Sequence, residues 1–447
     1  MSIAALCRFF RDCKGNIAIT FAFALIPALY LTGMSIDYIS ATQKKAKLDA
    51  LADAAVLAAL TPSMLHQSDT TAQAAAQNVF QAQLPSIPGL NIDPKSGLTV
   101  TMSSTITTRN ITVTYNASSQ NYFPGVLKLN AISLAGTSKG SASFPPNIDF
   151  YLLLDNSPSM AIPATQAGIN TMVTKTGCAF ACHDTTNPND GYSVAKANGI
   201  STRIQLVGNA VTSLATTASA TALQNQSTYQ MALYIFSNHS NNATALQMQV
   251  KALTPNLASI ASLPSGTIDV MPVAGNNNDT NGNYNDDTAT DFDSAMSAMN
   301  GLMPAPGTGL AGSTPQEILF IVTDGVNDAV SSNLLNPCSQ PLQTGSGGLK
   351  RCQEPMDTTW CTKIKNRGIR IALLYTVYLP MTTDNWYKSW VAPFQNWNNP
   401  TGNDGVANNI QSCATPGLYA SVSTDGDIAA ALNKLFQDAV QMAHLTQ

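Results

Sequence analysis

The chain has 447 residues, of which 44% are hydrophobic and only 11% are charged, and its formal net charge is −4. This length is sufficient for two or three domains with hydrophobic cores. The small net charge and the lack of basic blocks exclude nucleic acid as an expected partner.

The first predicted element is a membrane-spanning helix over residues 15–36. Three basic residues at positions 8–14 precede Asn16–Ile36, a run of 21 residues without a charge that ends at Asp37. That length spans a bilayer, whereas the apolar core of a signal peptide is shorter. By the positive-inside rule, residues 1–14 are expected in the cytoplasm and the bulk of the chain outside it. A cleaved signal peptide is the alternative, but no small-residue cleavage site follows the run.

Residues 37–146 are predicted to form a helical stalk followed by a small β-rich module. Small apolar residues recur every three or four positions up to Leu60, and a second helix rich in Ala and Gln covers about 70–83. The alanine-rich faces form either a simple spacer or, as we prefer, a surface that packs against a membrane partner or a second copy. Between Leu98 and Ala142, alternating Thr, Ser and Val residues predict three or four half-buried strands.

Residues 147–447 are predicted to form an α/β domain with a doubly wound, mostly parallel sheet. Apolar strands alternate with helices, as in sheets that are covered on both faces. The predicted strands cover 148–154, 229–237, 317–323 and 369–378, with a strand pair around 244–253, and the predicted helices cover 203–223, 256–262, 292–301 and 427–443. A long loop that contains Cys178 and Cys182 separates the first strand from the first helix. Ligands of such sheets bind at the carboxyl ends of the strands.

Oxygen-bearing side chains follow two of these strands. Asp155, Ser157 and Ser159 come directly after the first strand of the domain, and Asp324 follows the apolar strand EILFIVT. Thr290 stands just before a predicted helix. Carboxylate and hydroxyl oxygens suit a hard divalent cation such as Mg²⁺ or Mn²⁺.

This D-x-S-x-S loop, with a later Thr before a helix and a distal Asp after an apolar strand, resembles the metal-ion-dependent adhesion site of the von Willebrand factor type A (VWA) domain. The resemblance implies a Rossmann-like fold from residue 147 to the C-terminus and one coordination position left open for a carboxylate of a partner. It implies that Ser157 and Ser159 bind the cation directly. Thr290 would bind it directly or through a water, and Asp155 and Asp324 would act through bridging waters. Thr288 is the alternative to Thr290.

The N-terminal portion carries a second resemblance. The segments GNIAITFAFALIPALYLTGMSIDY (15–38) and DALADAAVLAAL (49–60), with CAFACH at 178–183, are similar to TadG-like proteins of the Flp/Tad pilus assembly system. Gly15 resembles the cleavage glycine of the related TadE group, but Thr20 stands where that group has Glu, so an uncleaved anchor is expected. The resemblance implies an inner-membrane protein that takes part in pilus assembly or anchoring. Its partners would be Tad pilus assembly proteins or pilin-like proteins, bound through an acidic side chain.

Six cysteines lie beyond the predicted membrane helix. An even number of cysteines in an oxidising compartment predicts disulfides. The simplest pairing joins Cys178 to Cys182 and pairs the other four cysteines among themselves, but the sequence does not decide the connectivity. The other four are Cys338, Cys352, Cys361 and Cys413. A zinc site at Cys178, Cys182 and His183 is the alternative, but it lacks a fourth ligand nearby.

Two further binding or catalytic interpretations are weaker. Alternating Asp and Asn residues from Asp279 to Asn285 suggest a calcium loop, so Ca²⁺ is a possible cation, but Tyr284 stands where an EF-hand needs glycine. A solvated loop is therefore preferred there. The four histidines lie in separate segments and no nucleophile elbow, zinc-protease helix or phosphate loop is present. The chain is therefore not expected to be an enzyme.

Two rival functions stay open beside pilus assembly. The first is an envelope or surface adhesin that binds a host or matrix ligand through the same metal site. The second is a structural periplasmic spacer in which the site has no metal role.

Overall fold

The computed structural model divides into two compact units, residues 1–144 and 145–447. It describes residues 16–105, 108–124, 129–180, 190–239, 248–270, 288–310, 313–330, 335–344, 350–395, 404–423 and 427–445. Several predicted features therefore lie outside the described residues: the cytoplasmic segment 1–14, Gly15, Cys182, His183, and the calcium-like loop up to residue 287.

The first unit contains three described helices and four strands. They are α1 (Asn16–Ala59), α2 (Pro62–Leu65), α3 (Asp69–Gln83), β1 (Leu90–Ile92), β2 (Leu98–Ser104), β3 (Thr108–Gln120) and β4 (Ala131–Ser143). β3 lies at the centre of an antiparallel sheet, where it pairs with β4 along its whole length and with β2 and β1 through successive parts of its other edge.

The helix α1 is continuous over 44 residues, although a proline, Pro27, lies inside it. The apolar run and the predicted stalk helix, which the sequence placed from Asp37 to about Leu60, are parts of this one element, because the helix passes through Asp37 without interruption. α1 is long and apolar enough to span a membrane. The large hydrophobic side chains of its first half, from Ile19 to Ile39, are exposed.

The second half of α1 packs against the sheet of its own unit. Leu48, Ala52 and Ala55 are buried in one cluster with Phe80 of α3 and Ile111 of β3. The preferred prediction, that the alanine-rich face packs against a membrane partner or a second copy, is therefore wrong for these residues. Small side chains allow this close approach, as does the glycine at position 140, where a Cβ would collide with Val56.

The second unit alternates strands and helices. Its strands are β5 (Ile148–Asp155), β6 (Tyr229–Phe236), β7 (Asn238–His239), β8 (Met248–Thr254), β9 (Thr288–Ala289), β10 (Gln316–Thr323), β11 (Val326–Val330), β12 (Gln343–Thr344), β13 (Lys350–Pro355), β14 (Arg370–Val377) and β15 (Tyr419–Ser423). Its helices are α4 (Gln166–Thr176), α5 (Gly191–Ala197), α6 (Arg203–Asn225), α7 (Ala258–Ala261), α8 (Phe292–Leu302), α9 (Thr359–Asn366), α10 (Asn385–Trp390), α11 (Gly405–Cys413) and α12 (Ile428–Leu445).

Six of these strands form the central sheet in the order β15-β14-β10-β5-β6-β8. The first five run parallel to one another, and β8 at the edge is antiparallel to β6. From β5 the chain proceeds to β6 on one side of the sheet and later returns to β10 on the other side. The strand order therefore reverses between β5 and β10, and crevices for ligands form at the carboxyl ends of strands at such a point.

Helices cover both faces of the central sheet. Alternate residues of β5 contribute to two separate cores, Phe150, Leu152 and Leu154 to one and Tyr151 and Leu153 to the other. The first core is closed by α6, α7 and α12, and the second by α4, α5, α8, α9, α10 and α11. Because both faces are buried, β5 and β10 have no exposed residue, which explains their continuous apolar sequences.

The connections contain more structure than the sequence predicted. The loop expected before α6 contains the helices α4 and α5, and the region after β10 forms a small antiparallel sheet of β11, β13 and β12. Of the strand pair expected around 244–253, the described part is the single strand β8.

Candidate metal centre

The polar site begins where β5 ends. The carboxylate of Asp155 is fully buried; its Oδ1 accepts a hydrogen bond from the backbone N–H of Ser157 at 2.9 Å. Its Oδ2 accepts one from the hydroxyl of Thr323, the last residue of β10, at 2.7 Å. Asp155 therefore holds its own turn and ties the ends of two neighbouring strands together.

Two serine hydroxyls lie in the turn that follows. Ser157 and Ser159 place their Oγ atoms 3.1 Å apart. Between them, Pro158 begins a short 3₁₀ helix, Pro158–Ala161, and Ser157 precedes it in an extended conformation. Proline favours this first helical position because its φ is already set and it has no N–H to satisfy. The turn thus brings both hydroxyls together beside the carboxylate.

Asp324 follows β10 at the same edge of the sheet. It is fully buried, and its Oδ2 accepts a hydrogen bond from Nη1 of Arg203 at 3.3 Å. Burial raises the pKa of Asp324, and the nearby hydroxyls of Ser159 and Tyr378 offset part of this rise, but neither hydroxyl satisfies Oδ1 with hydrogen-bonding geometry. Among the described residues, Oδ1 of Asp324 therefore has no hydrogen-bond donor. Gly325 allows the chain to turn directly after it with a φ of +75°.

Arg203 brings a positively charged side chain into this site, and the sequence did not predict it. It is the first residue of α6 and is fully buried. Its Nη2 donates to the backbone oxygen of Val377 at 3.2 Å, and its guanidinium carbon lies 4.4 Å from the centre of the Tyr378 ring. One sequence signal was present, because Arg203 is the only charged residue in the 23-residue helix α6. A lone charged residue at the start of an otherwise neutral helix is a candidate for burial, and a charge that is buried needs a partner.

The two carboxylates strongly influence each other. Burial raises the pKa of Asp155, and the nearby charge of Asp324 raises it further. Burial also raises the pKa of Asp324, whereas the guanidinium of Arg203 opposes that effect. The site therefore disfavours two ionised carboxylates and favours the gain of positive charge, either as a proton or as a cation.

Thr290 lies at the same edge of the sheet, but it makes no hydrogen bond to the Asp155 turn among the described residues. Its backbone N–H and oxygen pair with the backbone of Asp328, at 3.1 and 2.8 Å. Directly before it, β9 pairs with β7, the continuation of β6, and directly after it Asp291 caps α8. Thr290 is thus held between the chain leaving β6 and the chain leaving β10. The side chain of Thr288 lies outside what is described.

Contacts and electrostatic interactions therefore join four of the five predicted ligands, Asp155, Ser157, Ser159 and Asp324. Their assignment as metal ligands stays a prediction. Sequence reasoning also missed Thr323, which donates to Asp155 and accepts the N–H of Gly325.

The five cysteines in the described part of the chain are all in disulfides. Cys338 is bonded to Cys352, and Cys361 is bonded to Cys413. Cys178 is also disulfide-bonded, which leaves no free thiolate there for the alternative zinc site. Its predicted partner, Cys182, lies outside the described residues.

The N-terminal region matches a known protein family. Residues 15–78 match the family described as putative Flp pilus-assembly TadE/G-like. This match supports a Tad pilus protein with a pilus-related role, and the long apolar helix α1 begins inside it. The match covers the start of the chain alone, and it does not extend to the second unit.

Other comparisons are less informative. No curated protein matches the chain. Among solved structures, the pilus adhesin SpaC from Lactobacillus rhamnosus GG aligns with a TM-score of 0.35 and 13% identity, over 79% of this chain and 36% of SpaC. The chain thus spans about a third of that adhesin. The PilB minor pilin from Streptococcus sanguinis aligns with a TM-score of 0.35 and 11% identity, over 80% of this chain and 78% of PilB. Scores this low carry no conclusion about fold or function.

Proposed function

We propose that the protein is a membrane-anchored, periplasmic component of Flp/Tad pilus assembly or anchoring. In this proposal α1 crosses the inner membrane with the N-terminus in the cytoplasm, and the second unit is a VWA domain that binds a partner rather than catalysing a reaction. The family match at residues 15–78 and the length of α1 support the first part. The parallel sheet, whose strand order reverses beside Asp155 and Asp324, supports the second.

One observation carries the proposal for the site. The turn of Asp155, Ser157 and Ser159 meets Asp324 at the carboxyl edge of the sheet, and Oδ1 of Asp324 has no donor among the described residues although it is fully buried. A buried polar atom without a hydrogen-bond partner lowers the stability of the fold. A bound cation, or a water molecule that a cation holds, would supply the partner that Oδ1 of Asp324 lacks. The candidate metal-ligand atoms are all oxygens, which fits Mg²⁺ or Mn²⁺ and not a metal that prefers thiolate ligands.

Ser157 and Ser159 would hold the cation, with Thr290 beside them and with Asp155 and Asp324 balancing its charge. When bound, the cation would supply a positive charge to which a carboxylate of a pilus partner can attach. Arg203 would hold Asp324 in place and keep the site from carrying two uncompensated negative charges when no cation is present.

The direct test measures Mn²⁺ binding to the full-length protein in lipid nanodiscs by isothermal titration calorimetry. Ser157→Ala should reduce Mn²⁺ affinity at least 10-fold, because it removes a proposed direct ligand. Ser227→Ala is the matched control, since this half-buried serine precedes β6 at the opposite edge of the sheet. If the wild-type protein binds no Mn²⁺, the metal part of the proposal is wrong and a structural role remains.

A cellular test separates assembly from adhesion. Cells that carry Ser157→Ala in place of the wild-type gene should lose surface pili in electron micrographs while the protein level is unchanged. Cells that carry Ser227→Ala should keep their pili. Normal pili with lost surface attachment in the Ser157→Ala strain would contradict the assembly role and support the adhesin.

A further inference from the structure

The turn between β3 and β4, described at residues 121–124 and 129–130, is fastened to α1 at the end of the apolar run. The carboxylate of Asp37, only 1% exposed, accepts hydrogen bonds from the backbone N–H of Tyr122 at 2.7 Å and of Phe123 at 3.2 Å. Asp37 is the first charged residue after Asn16–Ile36. The turn is thus held at one particular level of α1.

A second contact fixes the same region. Lys44 of α1 is 7% exposed; its Nζ donates to Ser119 Oγ at 3.0 Å and lies 5.8 Å from the centre of the Tyr122 ring. Across the turn, the N–H of Asn121 donates to the oxygen of Asn130 at 3.1 Å. Asp37 and Lys44 of α1 are thus both hydrogen-bonded to the turn or to the end of β3 that leads into it.

Outside α1, the turn carries the exposed large apolar side chains of the described part of its unit. Tyr122 is 65% exposed, Phe123 42% and Leu129 54%. In the described part of residues 1–144, every exposed large hydrophobic side chain outside α1 belongs to this set of three. Scattered apolar side chains on a surface are ordinary, but a cluster confined to one turn indicates a contact surface.

The level of the turn corresponds to a membrane surface. The 21 residues of Asn16–Ile36 extend about 31 Å as a helix, and the hydrocarbon core of a bilayer is about 30 Å thick. When α1 crosses a bilayer over this run, Asp37 and the turn fastened to it lie at the lipid headgroups. Tyrosine rings concentrate at this depth because one end of the ring is apolar and the other is polar.

We propose that Tyr122, Phe123 and Leu129 form a second membrane contact, inserted into the surface of the same bilayer that α1 crosses. The partner is lipid, and the contact is apolar rather than electrostatic. Two points of attachment, the helix and the turn, would fix the orientation of the first unit on the membrane. The inference rests on α1 as a membrane span, but it is independent of any metal at the carboxyl edge of the sheet.

The test uses tryptophan quenching by brominated lipids in vesicles that contain the full-length protein. The native tryptophans all lie between positions 360 and 397, so their signal is measured in the wild type and subtracted. Phe123→Trp should be quenched strongly by lipids brominated near the headgroup and weakly by lipids brominated near the chain ends. Tyr122→Trp is a second variant at a more exposed position, in case the first one folds poorly.

Two controls make the outcome decisive. Leu57→Trp places a tryptophan at another exposed site of α1, twenty residues beyond Asp37, and should not be quenched. Phe23→Trp lies within the apolar run and should be quenched by deep bromines. If Phe23→Trp is quenched and both turn variants behave like Leu57→Trp, the turn does not touch lipid and the inference is wrong. If Phe23→Trp is also unquenched, α1 does not span the membrane and the proposed anchor is wrong as well.

Discussion

The neighbouring strands β5 and β10 carry a buried carboxyl group near each of their two ends. At the carboxyl edge of the sheet the pair is Asp155 and Asp324, and at the amino edge it is Asp149 and Glu317, which are direct register partners. All four are at most 4% exposed. The two pairs are similar in residue type and burial, but their surroundings differ.

The carboxyl edge supplies polar partners, whereas the amino edge supplies very few. At the carboxyl edge, Asp155 and Asp324 interact with Arg203, Thr323 and the turn serines. At the amino edge, Asp149 accepts one hydrogen bond from Gln230 at 3.0 Å. Neither carboxylate oxygen of Glu317 has a hydrogen-bond partner among the described residues.

The charge balance follows from this difference. Burial raises the pKa of Glu317 to about 8, and Asp149 adds to the effect. Arg367 opposes it, but this arginine donates its hydrogen bonds at the end of α8, to backbone oxygens and to Oδ1 of Asn300. A proton can neutralise the pair at this edge, whereas at the other edge hydroxyls and an arginine surround the pair, and a cation is proposed to bind there. A buried acidic pair therefore acquires its chemistry from the turns around it, and turns with ligand groups follow the carboxyl ends of parallel strands.

The largest expected effect comes from removing the positive charge of Arg203 at the carboxyl edge of the sheet. Arg203→Met leaves Asp324 and Asp155 without a compensating charge, so the second unit should lose about 3 kcal/mol of stability without divalent ions. Added Mn²⁺ should restore part of this loss, because the metal would supply the missing positive charge. Urea unfolding of the full-length protein, followed by tryptophan fluorescence with and without Mn²⁺, measures both effects.

Arg370→Met is the control for that experiment. Arg370 begins β14 at the opposite edge, where its Nη2 donates to Gln316. Its loss should cost less, and the cost should not depend on Mn²⁺. Equal losses in the two variants, with no recovery in Mn²⁺, would mean that Arg203 does not balance a metal-binding site.

A smaller effect of opposite sign is expected at the amino edge. The pKa of Glu317 rises from 4.5 to about 8 on folding, so between these values the folded state binds a proton that the unfolded chain has released. Stability therefore falls as the pH rises through this window. Glu317→Gln should remove the penalty and stabilise the protein by about 2 kcal/mol at pH 8.5, with little change at pH 5.

Thermal unfolding of wild-type and variant protein at the two pH values measures this prediction. Mn²⁺ affinity is the internal control and should be unchanged, because Glu317 lies at the far end of β10 from Asp324. A gain of equal size at both pH values would show that shape, and not ionisation, accounts for the stabilisation.

The sequence predicted the apolar strands of the central sheet, but not its edge strand β15, and it predicted the site in part. The apolar runs of β5, β10 and β14 were located to within about a residue, because strands buried on both faces need continuous apolar sequence. Asp155 and Asp324 were recognised because each is a charged residue that directly follows one of these apolar runs. The helices α4, α5, α9, α10 and α11 were not predicted, since each has 11 residues or fewer and buries at most three of them, which is too short for a periodic pattern to stand out.

The missing parts of the site depend on tertiary contacts. Arg203 lies 121 residues from Asp324 in the chain, and only the position of α6 beside the sheet brings them together. The disulfide between Cys361 and Cys413 similarly connects α9 with α11, and no spacing rule could choose this pairing over the others. The alanine-rich face of α1 had two possible partners in the sequence, and the fold supplied a third, the sheet of its own unit.

The smallest expected effect distinguishes an orienting hydrogen bond at one edge from a similar bond at the other. Thr323→Val keeps the size of the side chain and removes the donor to Asp155, which should cost about 1 kcal/mol of stability. Mn²⁺ affinity should also fall about 10-fold, since groups that orient a metal site affect its affinity without touching the metal. Gln230→Met removes the corresponding donor to Asp149 and should cost a similar amount of stability with no change in Mn²⁺ affinity. If both variants weaken Mn²⁺ binding equally, the metal does not bind at the carboxyl edge alone. The proposed difference, in which a cation balances the carboxyl edge and a proton balances the amino edge, would then be wrong.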